Sequence, residues 1–259
     1  MDGSPTSLKK VFSNVLKRHV HLGMKNGITS SLVNYAQVRR DPDFLTYLDS
    51  LSSANASSLS YPQYVSFYIN SFNAMALKLV AGNPCKTRLG KFCWAITSIY
   101  DISLKSHPIF RKFYELPVGM VSGSLVSLQD IHQILLGLGD ARVLVALNSA
   151  AISCPDLRAV AYEAGDGNEE EQMEKMNSLL VYSAKAFFAN PQKGLSYNTA
   201  ADSMAVSTVL KLNSQIIEDQ FGTLQQFVKQ FAPGSVASLI NNATAINFLK
   251  FDWALNSNI

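Results

Sequence analysis

The stretch that decides the fold runs from Val126 to Pro155, VSLQDIHQILLGLGDARVLVALNSAAISCP. Ser127 followed by Asp130 forms a capping box. The hydroxyl can accept the third amide of a helix, and the carboxylate can reach back to the amide of the cap. Leu128, Ile131, Ile134, Leu135 and Leu138 then recur at helical spacing, which predicts a helix with one buried face and His132 and Gln133 just off it. Gly137 and Gly139 stop that helix, and Asp140 can cap the next element. The run from Arg142 to Ala151 permits a buried strand because Val143, Val145 and Leu147 alternate. Asp140 as cap and the alanines at 141, 146, 150 and 151 favour a helix that is apolar nearly all round. On either reading a buried element delivers Asn148 and Ser149 to its end, where Cys154-Pro155 turns the chain.

Upstream of this stretch, Leu116, Val118 and Met120 alternate, Ser122-Gly123 turns and Leu125 returns, which predicts a hairpin between Tyr114 and Leu128. Ser60-Tyr61-Pro62 opens a helix whose face carries Val65, Tyr68, Ile69, Phe72, Ala76 and Leu79, and which ends at Gly82. Phe67, Ala74 and Leu77 on its other side place it inside the protein. Asn70 and Asn73 sit within that helix. A buried amide without partners costs about 1–3 kcal/mol, so both need them, either neighbouring backbone or a bound substrate. Asp41-Pro42 starts an earlier helix with Phe44, Leu45, Leu48 and Leu51 as its buried stripe. Gly23 to Ser31 reads as a flexible connection. Asn83 to His107 has no clear pattern.

Ser7 to about His21 has Leu8, Val11, Phe12, Val15 and Leu16 on one side and Lys9, Lys10, Lys17 and Arg18 on the other. A membrane surface or an acidic partner fits such a helix, and a solvated outer face is the simpler reading. Downstream, Glu169-Glu170-Glu171 suits the start of a helix bearing Met173, Met176, Leu180, Ala184 and Phe187, which stops at Asn190-Pro191. Ala205 to Leu212 has strand character. Asn213 and Thr223 are caps of two further helices, and the tail ends in the aromatic run FLKFDWALN. The fold class expected is α+β: a predominantly helical single domain with a small antiparallel sheet. Residues 1–32 form the basic amphipathic helix and connection, and residues 33–259 form the globular domain.

The chain has 259 residues, 47% of them hydrophobic and 16% charged, with net charge +3. That balance supports a sizeable core and carries no nucleic-acid signature. The N-terminus lacks the apolar core of a signal peptide, and Ser66, Asn70, Ser71, Asn73 and Lys78 interrupt the longest apolar stretch, Tyr64 to Val80. No transmembrane segment is expected. Cys85, Cys93 and Cys154 are too few for a disulfide framework and lack zinc-ligand spacing, so a reducing, cytoplasmic setting is the simpler assumption. His19, His21 and His107 form no metal-ligand pair, and Gly137-x-Gly139 lacks the Lys-Ser/Thr of a phosphate loop. Neither a metal nor a cofactor is called for. Oligomeric state is not legible.

With these residues in hand, the chain from about Val33 onward resembles the domain-of-unknown-function family catalogued as 547. The pieces occur in order: VNYAQVRRDPDFLTYLDSL, YVSFYINSFNAMALKLV, VSLQDIHQILL, RVLVALNSAAISCPDLRAVAY, AKAFFANP with LKLNSQIIEDQFG, and FLKFDWALN. The family's pattern carries a Glu-His pair after the capping serine, a histidine in the apolar run and a cysteine beside the asparagine. The resemblance therefore implies a thiol-hydrolase or acyl-transfer site, because a cysteine needs a base and an orienting group to attack a carbonyl. This sequence departs from that pattern at each point. The family's Glu is His132, its His is Gln133, the histidine of the run is Leu144, and the cysteine is Ser149. An early aspartate is Asn34. Asn70, Asn73, Asp130, Asn148, Cys154, Pro155, Asp252, Trp253 and Asn256 remain.

Three accounts are open. In one, the site is rewired, with Ser149 as nucleophile, His132 as base, and Asn148 or Asn70 holding an oxyanion. No G-x-S-x-G elbow surrounds Ser149, however. In another, Cys154 is the working thiol, although a cysteine before proline on a buried element is more simply a packed core residue. In the third, hydrolysis is lost and a pseudoenzyme survives that binds a small molecule, a peptide-like ligand or a protein, or serves an unrelated reaction. Substrate contacts are expected from Asn70, Asn73, Asn148, Cys154 and Trp253. An amide, ester or thioester carbonyl is the first substrate class if the protein is an enzyme.

Overall fold

A computed structural model describes residues 5–89, 91–102 and 113–258. Helix α1 (Pro5–His19) turns Phe12, Val15 and Leu16 inward, and Phe12 stacks on Tyr47 with ring centres 4.3 Å apart. Its basic side is partly engaged within the chain: Arg18 donates to Asp41 and Asp43, and His19 lies 2.6 Å from Asp41. The side chains of Leu8 and Lys9 lie outside the described residues, as does His107.

The stretch after α1 is no loose connection. Strand β1 (Val20–Lys25) pairs antiparallel with β2 (Ile28–Val33). Asn26 and Gly27 have φ of 53° and 77°, the two left-handed residues that a tight two-residue hairpin needs. Val20, Leu22 and Met24 alternate along β1, but Leu22 and Met24 face solvent, 71% and 69% exposed, so the alternation marks no core face. After α2 (Tyr35–Val38), α3 (Pro42–Ser53) starts at the expected cap, where Asp41 accepts from the Asp43 amide. Its buried stripe is Phe44, Tyr47 and Leu51, whereas Leu45 is exposed.

Helix α4 (Tyr61–Gly82) is surrounded by protein, with Ser66, Asn70, Ser71 and Asn73 as buried as Ile69 and Phe72. Strands β3 (Cys85–Leu89) and β4 (Phe92–Ala95) come next as a hairpin, closed by a Cys85–Cys93 disulfide. This corrects the reading of three isolated thiols. The hairpin brings the two Cα atoms to 5.3 Å, a proximity that residue spacing alone does not disclose. Strands β5 (Gly119–Val121) and β6 (Ser124–Val126) form the predicted hairpin about Ser122-Gly123, although a shorter one. It leads into α5 (Leu128–Leu136), where the Asp130 amide donates to Ser127 Oγ at 3.1 Å and the Ser127 amide to Asp130 at 2.8 Å.

The Arg142–Ala151 run is neither strand nor α-helix. One 3₁₀ segment spans Ala141–Val145, and beyond it the backbone is held by asparagine side chains and by the C-terminal segment. Helix α6 (Glu169–Phe188) is capped by Asn168. Then come β7 (Leu195–Asn198), β8 (Ser203–Val206), α7 (Thr208–Lys211), α8 (Ser214–Phe221), α9 (Leu224–Phe231), α10 (Gly234–Ala237) and β9 (Ala245–Phe248). The strand character expected to Leu212 stops at Val206, because Ser207 caps α7. Strands β7 and β8 are antiparallel, while β8 and β9 run parallel.

The fold is therefore α+β, mainly helical, with small and mostly antiparallel sheets. One apolar cluster gathers α1, α3, α4 and α5, and a second gathers Phe187, Met204, Phe227 and Phe231. Helix α6 serves both, through Met176 and Leu180 on one side and Ala184 and Phe188 on the other. Among the described residues no helix is long and apolar enough to cross a membrane.

Candidate functional site

Asparagine amides build the floor of the site. Asn70 grips Tyr162 from both sides, donating to its carbonyl at 2.7 Å and accepting from its amide at 2.9 Å. One turn on, Asn73 donates to the Ala146 carbonyl at 3.1 Å and accepts from the Asn148 amide at 2.9 Å. Asn148 in turn donates to the Pro155 carbonyl at 2.7 Å and accepts from the Ala150 amide at 2.9 Å. Asn73 thus ties α4 to the loop that carries Ser149, Asn148 braces that loop from within, and Asn70 ties α4 to the later segment at Tyr162. The partner each required is backbone, and none of the three lines the pocket above them.

The C-terminal segment closes the other side. Ala151 bridges Leu255, the Asn256 amide donates to the Ala150 carbonyl at 3.0 Å, and the Ile152 amide donates to the Ala254 carbonyl at 2.8 Å. Asn256 is fully buried; its amide oxygen accepts from the Tyr35 hydroxyl at 2.5 Å and its nitrogen donates to the Ser31 carbonyl at 3.0 Å. Asp252 accepts from the Ala254 amide and from Asn26. The DWALN run is therefore a clasp that aims Trp253 inward. Under this clasp Ala150 has φ of 65°, a left-handed backbone that costs a non-glycine residue roughly 1–2 kcal/mol.

Between the clasp and α5 lies a pocket of about 380 Å³. His132, Ser149, Cys154 and Trp253, expected at the site, all line it. So do Gln133 and Leu144. Positions 132, 133, 144 and 149, where the sequence reading expected departures from the family's pattern, thus share one opening. Asn34 does not join them; it caps α2 through the Gln37 amide. The wall that sequence reading missed is aromatic. Trp253 packs against Phe251 at 4.3 Å, Tyr100 at 4.8 Å and Phe113 at 6.3 Å between ring centres. Tyr114 continues the series to His132 at 5.8 Å, with Phe72 behind at 6.4 Å from that imidazole. These rings come from four separate parts of the chain, so no local spacing marks them. Among the described lining residues none is an Asp, Glu, Lys or Arg.

The electrostatics derive from burial. Burial lowers the pKa of His132, so the imidazole is neutral at physiological pH. Among the described residues it makes no hydrogen bond. The Ser149 hydroxyl instead lies 3.1 Å from Cys154 Sγ. Burial raises the pKa of the Cys154 thiol, and this outweighs the bond from Ser149, so the thiol stays protonated. Beneath them Lys193 is wholly buried, with Nζ 2.7 Å from Asp156 and 2.8 Å from Ser30 Oγ. Burial lowers its pKa against the opposing pull of Asp156. This ion pair, buried on the Lys193 side and partly exposed on the Asp156 side, pins β2 to the loop after Cys154, and nothing in the sequence pattern announces it.

The class defined by fold and site is a mainly helical α+β protein with an aromatic-walled pocket whose described lining residues include no Asp, Glu, Lys or Arg. Residues 56–178 match the model of a family described as "Protein of unknown function, DUF547". No curated protein and no solved structure matches the chain. The matched span contains positions 132, 133, 144 and 149, whereas the clasp that completes the pocket lies beyond it.

Proposed function

We propose that this pocket holds a neutral, flat small molecule and does not cleave it. The observation that carries the reading is the pairing within the pocket: Ser149 bonds to Cys154 and not to His132. Nucleophilic catalysis by serine needs a base in contact and a third group to orient that base. Here the imidazole has aromatic rings about it and, among the described lining residues, no carboxylate. The same features favour binding. Rings set edge-on to one another present faces and edges to a planar guest, and Gln133, Ser149 and Asn213 offer it hydrogen bonds. The absence of charge among the described lining residues favours an uncharged ligand.

The test uses Trp253 as reporter in a Trp94→Phe variant, titrated with neutral aromatic amides such as benzamide. Saturable change in Trp253 emission, with the amide recovered intact, supports the reading. Loss of the same response in Leu144→Phe, which narrows the pocket without adding a second tryptophan, localises it. No saturable response to any such compound would overturn it.

A second reading keeps a rewired Ser149–His132 hydrolase. It is favoured by the shared pocket and by the neutral state of His132, which leaves a ring nitrogen able to accept a proton. Hydrolysis of phenyl esters that Ser149→Ala abolishes would establish it in place of the first. As to compartment, the Cys85–Cys93 disulfide favours an oxidising environment over the cytoplasm.

A further inference from the structure

A second cavity, of about 820 Å³, opens beyond the C-terminal clasp and shares no lining residue with the aromatic pocket. Its walls are apolar, formed by Tyr35, Val80, Ala81, Ile96 and Leu255. Its rim carries Lys25, Arg39 and Arg40 and, among the described residues, no carboxylate. Arg39 and Arg40 are exposed and form no ion pair with any described residue. Apolar walls beneath a mouth of one charge sign suit a guest with a hydrocarbon body and an anionic head.

The disulfide-closed hairpin forms one side of that mouth, through Pro84, Cys93 and Ala95. Its register pairs Leu89 with Phe92 and Thr87 with Trp94, which puts Leu89, Phe92 and Trp94 on one face. They are 70%, 63% and 52% exposed. Lys86 and Lys91 are exposed on the same hairpin, and from Asn83 to Tyr100 the sequence has no Asp or Glu. Exposed aromatic and aliphatic side chains set among cations match the interface of an anionic bilayer.

We propose that this cavity binds a long-chain anionic amphiphile of the fatty-acid type. Its chain lies against Val80, Ile96 and Leu255, its headgroup meets Arg39 and Arg40, and the hairpin is the edge by which it enters. The proposal is independent of the ligand of the aromatic pocket.

The probe is parinaric acid, a fluorescent long-chain carboxylate, titrated into the full chain and displaced with palmitate. Saturable, displaceable binding is expected. The double variant Arg39→Glu/Arg40→Glu, on exposed positions and checked for native circular dichroism, is expected to weaken it by about tenfold or more. Ala36→Trp, which fills the mouth from α2, is expected to do the same. No saturable binding, or equal affinity in the charge-reversed variant, would overturn the proposal. So would binding that survives charge reversal and is lost in Trp253→Ala, since that result puts the chain in the aromatic pocket. Sedimentation with phosphatidylglycerol vesicles then distinguishes the sources. Sedimentation that Leu89→Asp/Phe92→Asp abolishes supports uptake from a bilayer. Parinaric acid binding without sedimentation supports uptake from solution. Sedimentation without parinaric acid binding overturns the assignment.

Discussion

Ser149 Oγ and Cys154 Sγ lie 3.1 Å apart at the base of the aromatic pocket. Serine therefore spends its hydroxyl on a neighbouring thiol, in a pocket whose histidine has no hydrogen-bond partner among the described residues. A bond to sulfur is weak, so Ser149→Ala is expected to cost no more than about 1 kcal/mol. Urea denaturation should show a small drop in midpoint with unchanged slope. A loss of several kcal/mol would mean that the hydroxyl holds more than the thiol.

The asparagines should behave in the opposite way. Asn70→Ala strips the partners from both the amide and the carbonyl of Tyr162, leaving two buried backbone groups unpaired. The expected cost is about 2–5 kcal/mol, read from the same denaturation experiment. Asn148→Ala should fall in the same range, because it frees the Pro155 carbonyl and the Ala150 amide. If either variant were nearly neutral, the amides would not be the ties described.

Acid should act on stability through His132. Its folded pKa is lowered by burial, so the unfolded chain binds the proton more tightly. Stability rises with pH between the folded pKa and the ordinary histidine value of about 6.5, and it falls as pH drops through that window. Thermal midpoints measured from neutral pH downward should fall less steeply in His132→Gln than in wild type. Identical slopes would show that other groups carry the acid sensitivity.

Much of this architecture is legible in the residues themselves. Ser127 with Asp130, Asp41 with Pro42, and Ser122 with Gly123 are local devices, and each element they predict is present. The pieces that were not legible depend on partners distant in the chain. Asn26-Gly27 is a strong turn signal and Val20, Leu22 and Met24 alternate before it, but the strands expose Leu22 and Met24, so the hairpin has no apolar run on its far side to match. Cys85 and Cys93 meet only because a hairpin sets their register. The run after Arg142 satisfies both helix and strand patterns. It adopts neither, because Asn73 and the clasp at Ala254 and Asn256 supply its hydrogen bonds. The placement of the site shows the same division. Positions 132, 133, 144 and 149 are the ones the resemblance singled out, whereas Tyr100, Phe113, Tyr114 and Phe251 look like ordinary core until the fold brings them together.

Backbone strain next to Ser149 gives a further test. Ala150 holds a left-handed φ of 65° under the clasp. Ala150→Gly relieves that strain at the loss of one buried methyl, so its net effect on stability should stay within about 1 kcal/mol. Ala150→Val adds a branched side chain to the same conformation in a fully packed position and should cost about 2 kcal/mol or more. Equal effects of the two substitutions would contradict the assigned conformation.

Thiol chemistry should separate the three cysteines. Without reductant, iodoacetamide should leave native protein unmodified: Cys85 and Cys93 are paired and Cys154 is buried and protonated. Unfolding alone should expose one reactive thiol, and unfolding with reduction all three, as counted by mass spectrometry. Rapid labelling of native Cys154 would revive the account in which it is the working nucleophile.

The proposal that the pocket binds without cleaving, its serine and histidine out of contact, is tested most directly by reaction with a fluorophosphonate at neutral pH. No adduct is expected on Ser149 under conditions that fully label an authentic serine hydrolase. A stoichiometric adduct on Ser149, absent from Ser149→Ala and slowed in His132→Gln, would contradict that reading of the pocket.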